Sequence, residues 1–75
     1  MNNKHFDERL KLGLNIQYYR KLNDYTQDRL AEAIDVSREH LSNIERAVSS
    51  ASVDVLFSIA EVLHVSINKF FEFRD

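Results

Sequence analysis

The stretch SREHLSNIERA, Ser37 to Ala47, gathers side chains whose hydrogen-bonding groups come in forks. Arg38 can donate two parallel N–H bonds to the O6 and N7 of a guanine, and Asn43, one turn further on, can meet an adenine or a phosphate. Glu39 can accept from a cytosine amino group; equally, it can pair with Arg38 or another cation and repel phosphate. Ser42 and Arg46 share this side, and Ser49 and Ser50 follow it. They are candidate contacts to a sugar–phosphate backbone, with Arg46 foremost because it is charged. His40 can touch a phosphate when protonated, although a supporting role suits it better. The plain alternative for each is a solvated surface side chain.

A short helix must hold this face in place. Ser37 is its N-cap, Val36 and Leu41 stand at the positions of a hydrophobic staple, and the helix is expected from Arg38 to about Ala47. Leu41 and Ile44 then turn to the core, which leaves Arg38, Glu39, Ser42, Asn43 and Arg46 outside. The preceding helix, Gln27 to about Ile34, is capped by Thr26 and stapled by Tyr25 and Leu30. Only Asp35 and Val36 separate the two, and small Ala31 lets them approach closely. Residues of about 26–47 thus satisfy the packing demands of a helix-turn-helix. Gln27 opens its first helix, where free backbone amides and the dipole favour a phosphate.

The remaining elements are also helical. Leu12, Ile16 and Tyr19 mark one face of a helix from about Phe6 to Leu22. Ser52 caps a fourth helix to about Leu63, with Asp54 well placed for its dipole, and Ser66 opens a fifth, stapled by Val65 and Phe70. The reading is one all-α domain of five helices across residues 1–75, without linker or repeat.

Composition removes other classes. The 75 residues are 44% hydrophobic and 29% charged, with no cysteine, no proline and one glycine. A globular chain fits; disulfides, thiolate zinc sites, cysteine nucleophiles and phosphate-cradling glycine loops do not. His5, His40 and His64 are too scattered for a metal site, and no motif arranges a catalytic group, so neither cofactor nor enzyme activity is expected. MNNKHFDERL has no apolar signal region, so an intracellular, cytoplasmic protein is expected. The net charge is −2, and its distribution is uneven. Residues 1–50 balance eight Lys/Arg against eight Asp/Glu, whereas residues 51–75 carry two against four.

Nearly the whole chain resembles the lambda-repressor-like, or XRE-type, helix-turn-helix regulators of the Cro and phage-repressor class. The resemblance runs from Leu12, Gly13, Ile16, Tyr19 and Arg20 through TQDRLAEAIDVSREHLSNIER to Leu56, Ile59, Ala60, Leu63, Val65 and Ser66. It implies a compact five-helix DNA-binding domain that works as a homodimer on a two-fold symmetric, double-stranded operator in a bacterial or phage-type setting. It places the family's phosphate-contacting glutamine at Gln27, and an ion pair between the first and third helices at Arg20 and Glu45. Asp35 and Ala47 stand where that pattern usually has glycine, and Ala51 replaces a common proline. Alanine at 47 implies that the third helix runs on or ends by another geometry.

The last third is more apolar than one small core requires. Val55, Val62, Ile67, Phe71 and Phe73 are therefore expected to meet a second copy, which makes residues of about 52–73 the dimerisation helices. The alternative is that Phe71 and Phe73 fold back over the core. The function expected is a sequence-specific transcriptional regulator, a dimeric repressor or autoregulatory controller, with contact to RNA polymerase left open. The rival is a protein-interaction module, an antitoxin-like or adaptor helix-turn-helix acting through helices 4 and 5.

Overall fold

The computed structural model describes residues 4–73, and every regular element among them is helical. The order is α1 (Phe6–Leu22), α2 (Gln27–Ala33), α3 (Arg38–Glu45), α4 (Val53–Leu63) and a terminal 3-10 helix (Ile67–Phe71). Each start after α1 is set by a hydroxyl. Thr26 Oγ1 accepts from Arg29 N at 3.0 Å, Ser37 Oγ from His40 N at 2.9 Å and Ser52 Oγ from Val55 N at 3.1 Å. Ser66 Oγ accepts from Asn68 N at 3.3 Å. These bonds satisfy amides that the first helical turn leaves without a partner.

The helices end by one device repeated four times. Asp24, Asp35, Ala47 and His64 all take positive φ, between 56° and 63°. At each, the next amide reaches back to a carbonyl five residues earlier: Tyr25 to Arg20, Val36 to Ala31, Val48 to Asn43 and Val65 to Ala60. This is the Schellman closure, in which one left-handed residue turns the chain out of the helix. At three joints the apolar residue is followed directly by the next hydroxyl cap, giving Asp-Tyr-Thr, Asp-Val-Ser and His-Val-Ser. Helix stop, core anchor and helix start are thus compressed into three residues.

Several expectations are corrected. Among the described residues there are four α-helices, not five; the segment after Ser66 is a 3-10 helix of five residues. Lys69 N bonds Ser66 O at 2.9 Å and Glu72 N bonds Lys69 O at 3.4 Å, the i to i+3 pattern that very short helices adopt. Helix α3 ends at Glu45 and does not run to Ala47, because Ala47 itself occupies the left-handed position, with φ of 63°. The helix therefore neither runs on nor ends by another geometry, as alanine at 47 had implied: the closure that glycine usually makes is kept, on an alanine. Helix α2 likewise closes a residue early, at Ala33.

Ile16, Leu30, Leu41, Ile59, Leu63 and Phe70 are fully buried and form the centre of the core. Removing any one of these side chains from water contributes on the order of 1.5–3 kcal/mol. Tyr25, Val36 and Val65, the apolar residues of the three joints, pack against the same cluster. The 3-10 helix is tied to α1 by Asn15, whose Nδ2 donates to the carbonyls of Phe70 at 2.8 Å and Glu72 at 3.2 Å. Helix α3 lies against both α1 and α2, which fixes its inner side and leaves the other open.

Candidate nucleic-acid interface

The inner side of α3 is locked to α1 at its last residue. Arg20, in the final turn of α1, donates Nε to Glu45 Oε2 at 2.7 Å and Nη2 to Glu45 Oε1 at 3.1 Å. Its third nitrogen, Nη1, reaches the Tyr25 carbonyl at 3.0 Å, while the Arg20 carbonyl accepts from the Tyr25 amide. Arg20 is 7% exposed and Glu45 1%. Gln27 Nε2 adds a bond to Glu45 Oε1 at 2.9 Å, and Gln17 Nε2 bonds the Glu45 carbonyl at 3.2 Å. One carboxylate thus collects α1, α2 and α3 at a single point. A buried charge is tolerated when its hydrogen-bonding capacity is filled in this way.

The lone glycine belongs to the same seam. A Cβ on Gly13 would stand 2.4 Å from the Glu45 carbonyl oxygen, 2.8 Å from its carbon and 3.0 Å from the Ile44 oxygen. The α1 and α3 backbones approach too closely for any side chain there. A glycine in a helix interior lowers helix stability by about 1 kcal/mol relative to alanine, which is the sequence signal of such a contact.

The outer side of α3 carries the expected groups. Arg38, Glu39 and Arg46 are exposed, and His40, Ser42 and Asn43 are half-buried. Arg38 Nε lies 3.2 Å from Asp28 Oδ1 on α2, and Arg46 Nη2 donates to Asn43 Oδ1 at 2.9 Å. Asn43 also serves the end of α3 through its carbonyl, which accepts from Val48 N at 2.8 Å and Ser49 N at 3.2 Å. His40 supplies its amide to the Ser37 cap. Ser49 is half-buried and Ser50 exposed in the turn beyond α3. Gln27 is separated from this group: its amide is turned inward, onto Glu45.

Asp28 was not among the expected site residues. The signal was available, since a two-residue joint brings the first turn of α2 beside the start of α3. Gln17 was likewise unassigned, because its partner is a backbone carbonyl of α3 and such a partner leaves no side-chain pattern; the contact of Gly13 had only its place inside a helix as a signal.

The helix-turn-helix family model matches residues 16–70. The chain belongs to the helix-turn-helix family. This helix-turn-helix chain is 35% identical over 60 residues to an uncharacterised HTH-type transcriptional regulator of Methanocaldococcus jannaschii, covering 80% of this chain and 91% of the relative. Among solved structures it is similar to the N-terminal DNA-binding domain of SinR from Bacillus subtilis. There the TM-score is 0.76 and the identity 33%, over 84% of this chain and 93% of that one. The restriction-modification controller protein C.AhdI from Aeromonas hydrophila shares the fold, with a TM-score of 0.84 at 20% identity over 88% of this chain and 100% of that one. In this helix-turn-helix protein α2 and α3 are the two helices within the matched span that a two-residue joint, Asp35 and Val36, connects.

At the C-terminal end, Val55, Val62 and Ile67 are half-buried and pack against the protein's own core. Phe73 is half-buried, with Lys11 Nζ 5.9 Å from its ring centre. The exposed apolar residues here are Val53, Phe57 and Phe71, at 63%, 56% and 51%. Among the described residues, no helix is long and apolar enough to cross a membrane.

Proposed function

We propose that the protein is a DNA-binding transcriptional regulator that reads the major groove with α3 and acts as a dimeric repressor or autoregulatory controller. The supporting observation is the division of α3: its inner side is held on α1, while on its outer side Arg38 and Glu39, with Arg46 just past its end, are exposed and Asn43 is half-buried. A base-reading helix needs both, because discrimination depends on donors and acceptors held in register against base edges. Arg38 is assigned to a guanine and Glu39 and Asn43 to neighbouring bases. Arg46, Ser42, His40, Ser49 and Ser50 are assigned to the sugar–phosphate backbone, as is Gln27 through its main-chain amide, its side chain being bonded to Glu45. Arg20 and Glu45 are structural.

Double-stranded DNA with two-fold symmetry is the partner, and a second copy of the chain seats the other half-site. The exposed Val53, Phe57 and Phe71 favour an apolar contact on the α4 and 3-10 end, the region to which Val55, Val62, Ile67, Phe71 and Phe73 are assigned. Such a seam would place two α3 helices for successive major grooves about 34 Å apart. The protein acts inside the cell, where that DNA is. The reading as a protein-interaction module is not favoured, since the relatives are transcriptional regulators.

Selection of bound sequences from random duplex DNA by the purified protein tests this. An enriched, two-fold symmetric site is expected, with affinity falling steeply as salt rises because bound phosphates release counterions. A folded protein that enriches no sequence would overturn direct readout. Sedimentation over a range of concentrations tests the dimer, with a monomer at high micromolar concentration counting against it.

A further inference from the structure

Asp28, the second residue of α2, faces Arg38, the first residue of α3, with Oδ1 3.2 Å from Nε. Their side chains are 75% and 66% exposed, and a pair so open contributes only about 0.2–1 kcal/mol to stability. The fold does not depend on it. The angle between α2 and α3 is already fixed by buried Leu30, Ala31, Leu41 and Ile44 and by the bonds of Asp35 and Val36 around the joint. What the pair can bias is where the guanidinium points.

The closest approach is at Nε, the nitrogen nearest the side-chain stem. A carboxylate beside that nitrogen leaves the rigid fork of the two terminal nitrogens unengaged at the far end, and that fork is what donates to O6 and N7 of one guanine. The carboxylate also acts on the alternative target. An unaccompanied arginine at the DNA surface is free to swing onto a phosphate, which carries no sequence information. A fixed negative charge beside its stem repels the phosphate oxygens and leaves the uncharged base edge as the favoured acceptor.

We propose that Asp28 is a positioning residue that sets the specificity of Arg38, directing its guanidinium to a guanine and away from the phosphate backbone. This rests on the assignment of α3 as the base-reading helix. It makes an acidic residue at the DNA-facing side a contributor to selectivity at a cost in general affinity.

The test uses the full chain and a duplex carrying the site that the wild-type protein selects, beside one in which the guanine read by Arg38 is exchanged for adenine. Wild type, Asp28→Asn, Asp28→Glu, Arg38→Ala and the Asp28→Asn/Arg38→Ala double variant are titrated on both, and on a random duplex. Asp28→Asn is expected to lose about fivefold of the guanine preference, part of the discrimination that a bidentate contact provides, while its binding to random duplex holds or rises. Asp28→Glu should restore most of the preference, and the double variant should lose no more than Arg38→Ala alone. Full preference in Asp28→Asn, or additive losses in the double variant, would overturn the proposal while leaving base reading by Arg38 intact. Undiminished preference in Arg38→Ala would overturn the assignment of Arg38 itself, and this proposal with it.

Discussion

On its inner side α3 ends in Glu45, 1% exposed and bonded by Arg20, Gln27 and, through its carbonyl, Gln17. On its outer side Arg38 and Arg46 have one contact each, to Asp28 and Asn43, and both arginines remain exposed. The same kinds of group, arginine against carboxylate or amide, therefore do opposite work on the two sides of one short segment. Inside, removing either partner strands a buried charge; outside, water replaces what is lost. Burial, and not residue type, decides which polar contacts hold the fold and which remain available to a ligand.

The sharpest way to break this contrast is to remove one half of the inner pair. Arg20→Ala should lower stability by about 3–5 kcal/mol, because Glu45 is left charged and buried. Thermal melting by circular dichroism checks it, and a melt matching wild type would place Glu45 in contact with water. Gly13→Ala comes next, at about 1–3 kcal/mol of destabilisation, since its methyl group would meet the α3 backbone. An unchanged or higher melting temperature would show that α3 can slide outward and that the seam is loose.

The outer side should behave conversely. Arg38→Ala should remove about 1–3 kcal/mol of base discrimination in DNA titrations. Its stability should stay within about 0.5 kcal/mol of wild type, as for an exposed side chain. A large drop in melting temperature would mean that the outer side also holds the fold. The smallest effect is expected at the junction of the two. Ala47→Gly should stabilise by about 1 kcal/mol, by removing the penalty of a Cβ at φ of 63°. Urea unfolding would measure this, and a loss of stability would show that the Ala47 methyl group, which is 3% exposed, contributes more by packing than it costs in strain.

Much of this architecture was legible in the sequence, and the reason is local. Thr26, Ser37, Ser52 and Ser66 cap the helices that they were expected to cap, because a hydroxyl bonding amides two or three residues away needs no knowledge of the rest of the chain. Leu41 and Ile44 turn inward by periodicity alone. What could not be read depends on approach in space. The contact of Gly13 with α3 is one such case, since the two backbones meet only once α3 is laid on α1. The 3-10 form of the last element was hidden for another reason: Val65, Ser66 and Phe70 carry the same signals for either helix type, and only the short span to the extended Glu72 selects the tighter one. Ala47 was misread because the usual occupant of its position is glycine, whereas the hydrogen bonds of the closure require only the backbone angle.

The three compressed joints have a consequence for the order in which the chain acquires its structure. Their bonds link residues no more than five apart, so each joint can close on its own, with little loss of loop entropy and before any helix has docked. The Arg20–Glu45 pair spans 25 positions and can form only when α3 arrives on α1. Weakening a joint, as by Ser37→Ala, should therefore slow refolding in stopped-flow experiments, whereas cutting the pair should chiefly hasten unfolding. Helix α3 would then be shaped early and seated late, and the element proposed to read DNA would complete the folding of the domain.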